Sequence, residues 1–218
     1  MAVVENPGRE RVLARIRSAL KKPAPRHVCP PSAGPVFAAI PDTLERFQTE
    51  CVTNSTELIL VPDARRAADA LGMVIASVTP GEIYSQDAPL LRWMLGGLQT
   101  GRAVRWSNGG PPSESSQAAI TTAECLVAAT GSILIASSAA GRGASVVAPA
   151  HIVVASEAQI ETDLAAALRR ARERKLLEQN SALFLITGSS RTADIEKILV
   201  LGAHGPRRVV LILARNLG

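Results

Sequence analysis

The chain has 218 residues, 24 Lys+Arg against 19 Asp+Glu, and 47% apolar residues, a length that suits one domain with an appendage at about 150 residues per domain. A charged fraction of 20% with positive mean hydropathy excludes an intrinsically disordered chain, and no apolar run approaches the roughly 18 residues that span a bilayer. Aromatics supply only 3%, so the core must be built from Ala, Val, Leu and Ile.

Residues 9–26 carry seven bases (Arg9, Arg11, Arg15, Arg17, Lys21, Lys22, Arg26) against one acid, Glu10, which leaves everything outside that segment at −1. The basic pI of 9.6 therefore describes one arm and not a basic globule, which argues against nucleic-acid binding by the folded domain. Val12, Leu13, Ile16 and Leu20 fall on one helical face of that arm, with Arg and Lys opposite. The early arginines interrupt any secretory signal. The pattern predicts an amphipathic helix within residues 1–22, stopped at Pro23. Six of the 14 prolines then fall between Pro23 and Pro41, so 23–41 reads as a linker and 42–218 as the folded domain.

From Asp42 onward, helical patterns alternate with short apolar runs. Asp42 with Glu45 marks a helix start that continues through Leu44, Phe47 and Cys51. Leu58–Val61 reads as a strand covered on both faces, Asp63 as the cap of the next helix, and Asp87–Leu95 as a further helix. Ala103–Trp106 is the next strand, followed by a loop at Asn108–Pro112. Strands follow at 125–129, 132–136, 152–155, 183–187 and 209–213, and a helix at 158–179 carries Ile160, Leu164, Leu168 and Ala171 on one face. Its acids come early and its bases late, as the helix dipole favours, so those bases read as a solvated helix end. This succession predicts an α/β fold with a largely parallel sheet and helices on both faces.

Cys29, Cys51 and Cys125 are odd in number, widely spaced and form no C-x-x-C pair, which predicts free thiols in a reducing cytoplasm. Three thiols also fall short of the four an iron–sulfur cluster normally uses. His27, His151 and His204 are far apart, and nothing in their spacing points to a metal.

Chemistry concentrates in three polar, Gly-rich loops beside apolar runs: Thr130-Gly131-Ser132, Gly141–Ser145 leading to His151, and Thr187–Glu196. Open α/β sheets bind ligands outside the carboxyl ends of their strands, which is where such loops are expected. In the third loop, Gly188, Ser190 and Thr192 offer backbone N–H groups and hydroxyls to an anion, and Arg191 adds a bidentate donor. Helix capping by Ser190, Thr192 or Asp194 is the competing structural role. Arg142 is a second candidate anion contact, Asp194 and Glu196 are candidate orienting acids, and His151 and His204 are candidate proton carriers.

The run Phe184–Glu196, continuing through Leu201-Gly202-Ala203-His204-Gly205-Pro206, resembles the closing signature of the lactate-utilisation domain (LUD domain) family, in particular its lactate-utilisation protein C branch. Arg142, Ser145, Pro149 and His151 are similar to the family's R…S…P…H segment, and Thr130-Gly131 to its A-E-T-G-T segment. The Arg-rich N-terminal helix is also typical of the branch. The chain departs at Ala129, where the family usually has an acid, and at Ser132, which replaces a common Thr. The resemblance implies a fold of the NagB/RpiA/CoA-transferase-like class. It also implies a role in oxidising L-lactate to pyruvate alongside two iron–sulfur partner proteins, the clusters residing in those partners. A free-standing transferase-like enzyme acting on a phosphate- or CoA-bearing small molecule is the alternative such a fold admits.

Overall fold

A computed structural model describes residues 7–21, 38–192, 200–201 and 205–217. The chain divides into two compact units, Met1–Ala38 and Ala39–Gly218. In the first, helix α1 spans Pro7–Leu20, opening on a proline that suits the first helical position and carrying Glu10 early and Arg17 late. Val12, Ile16 and Leu20 on this helix are exposed. Most of the Pro-rich stretch, with Cys29, lies outside the described residues.

In the second unit, α2 (Thr43–Thr53) starts at Asp42, whose carboxylate accepts the backbone N–H groups of Leu44 and Glu45. β1 (Thr56–Val61) follows. α3 (Ala64–Ser77) is capped in the same way by Asp63, through the N–H of Arg66. Next come β2 (Glu82–Ser85), α4 (Pro89–Gly96) and β3 (Val104–Trp106). Asp87, expected to open the fourth helix, sits ahead of it and pairs with Arg92, while Pro89 takes the first turn.

The chain continues through β4 (Ser116–Thr122), β5 (Cys125–Val127), β6 (Ser132–Ala136), α5 (Ser137–Ala140) and β7 (Ala150–Ser156). Then follow β8 (Ile160–Glu161), α6 (Leu164–Glu173), α7 (Leu176–Gln179), β9 (Leu183–Ile186), β10 (Arg191–Thr192), β11 (Val200–Leu201) and β12 (Arg208–Ala214).

Six strands form one all-parallel sheet in the order β1-β12-β7-β4-β2-β3. One face buries Ile152, Val154, Val210 and Ile212 against α3 and α4. The opposite face carries Val153, Val209, Leu211 and Leu213, which meet Phe47 and Cys51 of α2 and Ile133 and Ile135 of β6. Helices thus flank both faces, but on the second α2 shares the cover with a smaller sheet, β8-β5-β6-β9. In that sheet β6 runs antiparallel to both β5 and β9.

Two parts of the pattern differ from the sequence reading. The helix expected over 158–179 is broken: Ile160–Glu161 is strand, Asp163 caps α6 by accepting from Ala166 N–H, and Lys175 takes a left-handed φ of 55° before α7. Leu164 and Leu168, expected on the buried face, are exposed, and α6 buries Ala166, Ala167 and Ala171 instead. The second difference is that β2 and β4 are central strands the apolar runs did not mark. Ser116 and Thr121 on β4 are buried, but each is satisfied over long range. Ser116 Oγ donates to Glu82 at 2.9 Å, and Thr121 Oγ1 lies 2.9 Å from His151 Nε2. No helix among the described residues is long and apolar enough to cross a membrane.

Candidate functional site

A cleft of about 460 Å³ is lined by the end of β9 and the turn that leaves it, residues 185–190, facing Asn54, Ser145 and Gly205-Pro206. Asn54 precedes β1, Ser145 lies on the loop into β7, and Gly205-Pro206 precede β12. The cleft therefore stands at the amino edge of the parallel sheet, opposite to the carboxyl edge where strand-end loops were expected to gather. Relative to β9, however, it is at the carboxyl end.

Two glycines bring the walls together. Gly131 has φ +62°, and a Cβ there would lie 2.8 Å from the Glu50 backbone carbon. Gly188 has φ +80°, and a Cβ would sit 1.9 Å from the Asn54 carbonyl oxygen. Side chains cannot occupy either position without displacing backbone. Asn54 locks the contact by donating from Nδ2 to the carbonyls of Glu50 and Thr130, each at 2.9 Å.

Across this junction runs a chain of hydroxyls. Thr130 Oγ1 and Ser132 Oγ are 2.7 Å apart, and Ser132 Oγ and Thr187 Oγ1 are also 2.7 Å apart. Ser132 is buried, whereas Thr187 lines the cleft, so the chain opens onto the cavity at Thr187. The backbone N–H of Ser190 donates to Pro206 at 2.9 Å, and that of Arg207 to Pro149 at 2.8 Å, which ties the three lining segments to one another. The first and third Gly-rich loops of the sequence are therefore brought together, and Ser145 of the second joins them.

The individual site residues divide as follows. Gly188 and Ser190 line the cleft. Arg191 and Thr192 continue from it as a short ladder, antiparallel to Val200-Leu201, and only their backbone is described. Asp194, Glu196 and His204 lie outside the described residues. Arg142 is directed elsewhere: its Nε donates to Ser181 Oγ at 3.2 Å and Nη2 to the Ser181 carbonyl at 3.4 Å, at the amino end of β9 and away from Thr187.

His151 is fully buried, does not line the cleft, and burial pushes its pKa down to about 4. Its ring is thus neutral near pH 7, suited to hydrogen bonding rather than to relaying protons from solvent. Ala129 is buried in the Thr130 turn, and Arg46 reaches its carbonyl at 3.5 Å while pairing with Glu50 at 2.7 Å.

One lining residue and one residue next to the lining were not visible in the sequence. Asn54 is one, because its role depends on the fold placing it against Gly188. The other is Arg207, exposed beside Pro206 and without an ion-pair partner among the described residues.

A parallel sheet with a smaller mixed sheet laid over one face, and a polar cleft at the loop junction between them, defines an α/β domain. Residues 112–214 match the model of the LUD domain. The chain is 28% identical to lactate utilization protein C of Bacillus velezensis, over 80% of this chain and 79% of that protein. It is also 26% identical to lactate utilization protein C of Bacillus subtilis over the same shares. An uncharacterized protein of Neisseria meningitidis is 35% identical over 44% of this chain and 41% of its own length. The fold is shared with the crystal structure of a DUF162 family protein from Deinococcus radiodurans. That match has a TM-score of 0.62 at 20% identity and covers 79% of this chain and 96% of that one.

Proposed function

We propose that this protein serves lactate utilisation in the cytoplasm, as a component of a system that oxidises L-lactate to pyruvate together with two iron–sulfur proteins. In that role the region 187–206 receives a small anionic ligand or a partner. The observation that carries the reading is the alignment with lactate utilization proteins C over about four fifths of both chains.

The cleft supports the anionic part of the reading. Hydroxyls of Thr187, Ser189 and Ser190 and the amide of Asn54 surround it, with Arg191 and Arg207 in the flanking sequence as sources of positive charge. The clusters are assigned to the partners. Cys51 and Cys125 are buried, and burial pushes their thiols up to about 12 and 11, away from the thiolate that ligates iron.

The test is growth on L-lactate as sole carbon source by a strain lacking the gene. Growth should fail and return when the full chain is supplied. Undiminished growth without the protein would refute the proposal.

A further inference from the structure

The two edges of the parallel sheet are unlike. β3 closes one side with three residues, and its Trp106 is covered by the Arg92 guanidinium, 4.5 Å from the ring centroid. β1 closes the other with six, Thr-Glu-Leu-Ile-Leu-Val, in unbroken register with β12 and without proline or lysine. Its one charge, Glu57, is taken up by Arg208, which donates from Nε and Nη2 at 2.7 Å each. Folded proteins guard exposed edges with short strands, charges, prolines or bulges, because the row of free N–H and C=O groups templates a further strand. β1 carries none of these beyond the neutralised Glu57, and no strand among the described residues pairs with its outer side.

The direction of its hydrogen bonds follows from one contact. The Val61 carbonyl accepts from Arg215 N–H, on the β12 side, at 2.9 Å, and bonding direction alternates along a strand. Glu57, Ile59 and Val61 therefore bond inward, while Thr56, Leu58 and Leu60 turn their N–H and C=O groups outward. The surroundings of this edge are apolar. Leu60 is 47% exposed, on the same face as Leu58. α2 packs on β1, and its Arg46 and Asn54 reach the Ala129–Thr130 turn of the smaller sheet. Val52, 78% exposed, projects from the other side of that helix. Arg208 also joins Glu57 to Ser77 of α3, and Met73, one turn earlier on α3, is 68% exposed. Three exposed apolar side chains on three neighbouring elements thus border one unpaired strand edge.

We propose that β1 is the interface of a symmetric dimer, in which β1 of a second copy of this chain pairs antiparallel with it across a two-fold axis at Leu58. A two-fold contact sets a surface against itself, so it needs an edge that is its own complement. β1 is such an edge. With Leu58 opposite its own counterpart, Thr56 of each chain faces Leu60 of the other, and three hydrogen-bonded pairs exchange six bonds. Centring on Ile59 instead would set Thr56 against Pro62, which has no N–H to give. In the Leu58 register the exposed Leu60 is covered by the other chain, and each Glu57 keeps its own Arg208, so the axis carries no uncompensated charge. A contact about 20 Å long through the sheet and its two helix layers, each about 10 Å deep, covers on the order of 600 Å² per chain, the lower end of what stable dimers bury.

The test is sedimentation velocity of the full chain between about 1 and 100 μM, with hydrogen exchange of the β1 amides measured at both ends of that range. The protein should sediment at twice the chain mass at the upper end and dissociate on dilution. In the dimer the N–H groups of Leu58 and Leu60 should exchange about tenfold or more slower than in the monomer, whereas those of Ile59 and Val61, bonded to β12, should not change. Leu60→Lys alters an exposed side chain and should raise the dissociation constant about tenfold or more while the fold, followed by circular dichroism, is kept. Leu60→Pro removes an N–H that has no partner among the described residues and should act in the same way.

A chain that stays monomeric throughout the range refutes the proposal. A dimer that both variants leave intact refutes it as well, since the contact then lies elsewhere on the molecule. So does a dimer whose Leu58 and Leu60 amides exchange as fast as in the monomer. That last comparison uses the wild type alone and decides the matter even where Leu60→Pro fails to fold.

Discussion

Burial of His151 makes a quantitative prediction about acid stability. The folded pKa is depressed from 6.5 to about 4 by desolvation, while the unfolded chain binds a proton with the ordinary value. The unfolded state therefore takes up the proton first. Stability is intact above about pH 6.5, falls as pH drops from 6.5 toward 4, and this contribution levels off below 4, where the native state is protonated too. The window spans 2.5 units, so the full loss is on the order of 3 kcal/mol, with about 2 kcal/mol already gone at pH 5. Urea unfolding followed by circular dichroism between pH 7.5 and 4.5 measures it, with His151→Gln as reference because the carboxylates titrate in both proteins. The variant carries a constant offset from the unpaired Thr121 hydroxyl but lacks the histidine's slope. Wild type should lose about 2 kcal/mol more than the variant between pH 7.5 and 5. Parallel curves would refute the buried, neutral ring.

Gly188→Ala should lower stability by about 3 kcal/mol or more, since it combines a left-handed φ of +80° with a Cβ placed 1.9 Å from the Asn54 carbonyl oxygen; denaturant midpoints read this directly, and a loss under about 1 kcal/mol would contradict the close approach. Cys51 and Cys125, buried with thiols raised to about 12 and 11, should resist a thiol reagent at pH 8 in the native protein and react promptly in urea. Rapid native labelling of either, read by mass spectrometry, would show that its burial is wrong.

Where local chemistry dictates local structure, the chain is readable without coordinates. Asp42 and Asp63 cap α2 and α3 as short polar side chains ahead of apolar helical patterns should, and Leu58–Val61 lies within the β1 edge strand. What escapes is satisfied from a distance. β4 reads as a polar stretch because Ser116 and Thr121 find their partners, Glu82 and His151, 34 and 30 residues away. Over 158–179 the apolar periodicity extends too far, because nothing local announces that Ile160 pairs with Leu126 or that Lys175 turns left-handed.

The candidate site divides along the same line. Thr187-Gly188 and Ser190 are visible as a Gly- and hydroxyl-rich turn after an apolar strand, and the structure sets that turn in the cleft. The rule that ligands sit beyond the carboxyl ends of strands then misleads, because it describes the parallel sheet, whereas β9 belongs to the other one. The smaller sheet lays the carboxyl end of β9 over the amino ends of β1, β12 and β7, so a loop correctly recognised by its own strand faces the edge of the main sheet that the rule leaves empty. That inversion also explains Arg142. It reaches Ser181 at the start of β9, and so is held at the far end of the strand whose other end forms the cleft. Arg207 lies at the correct end, beside Pro206, because it introduces β12.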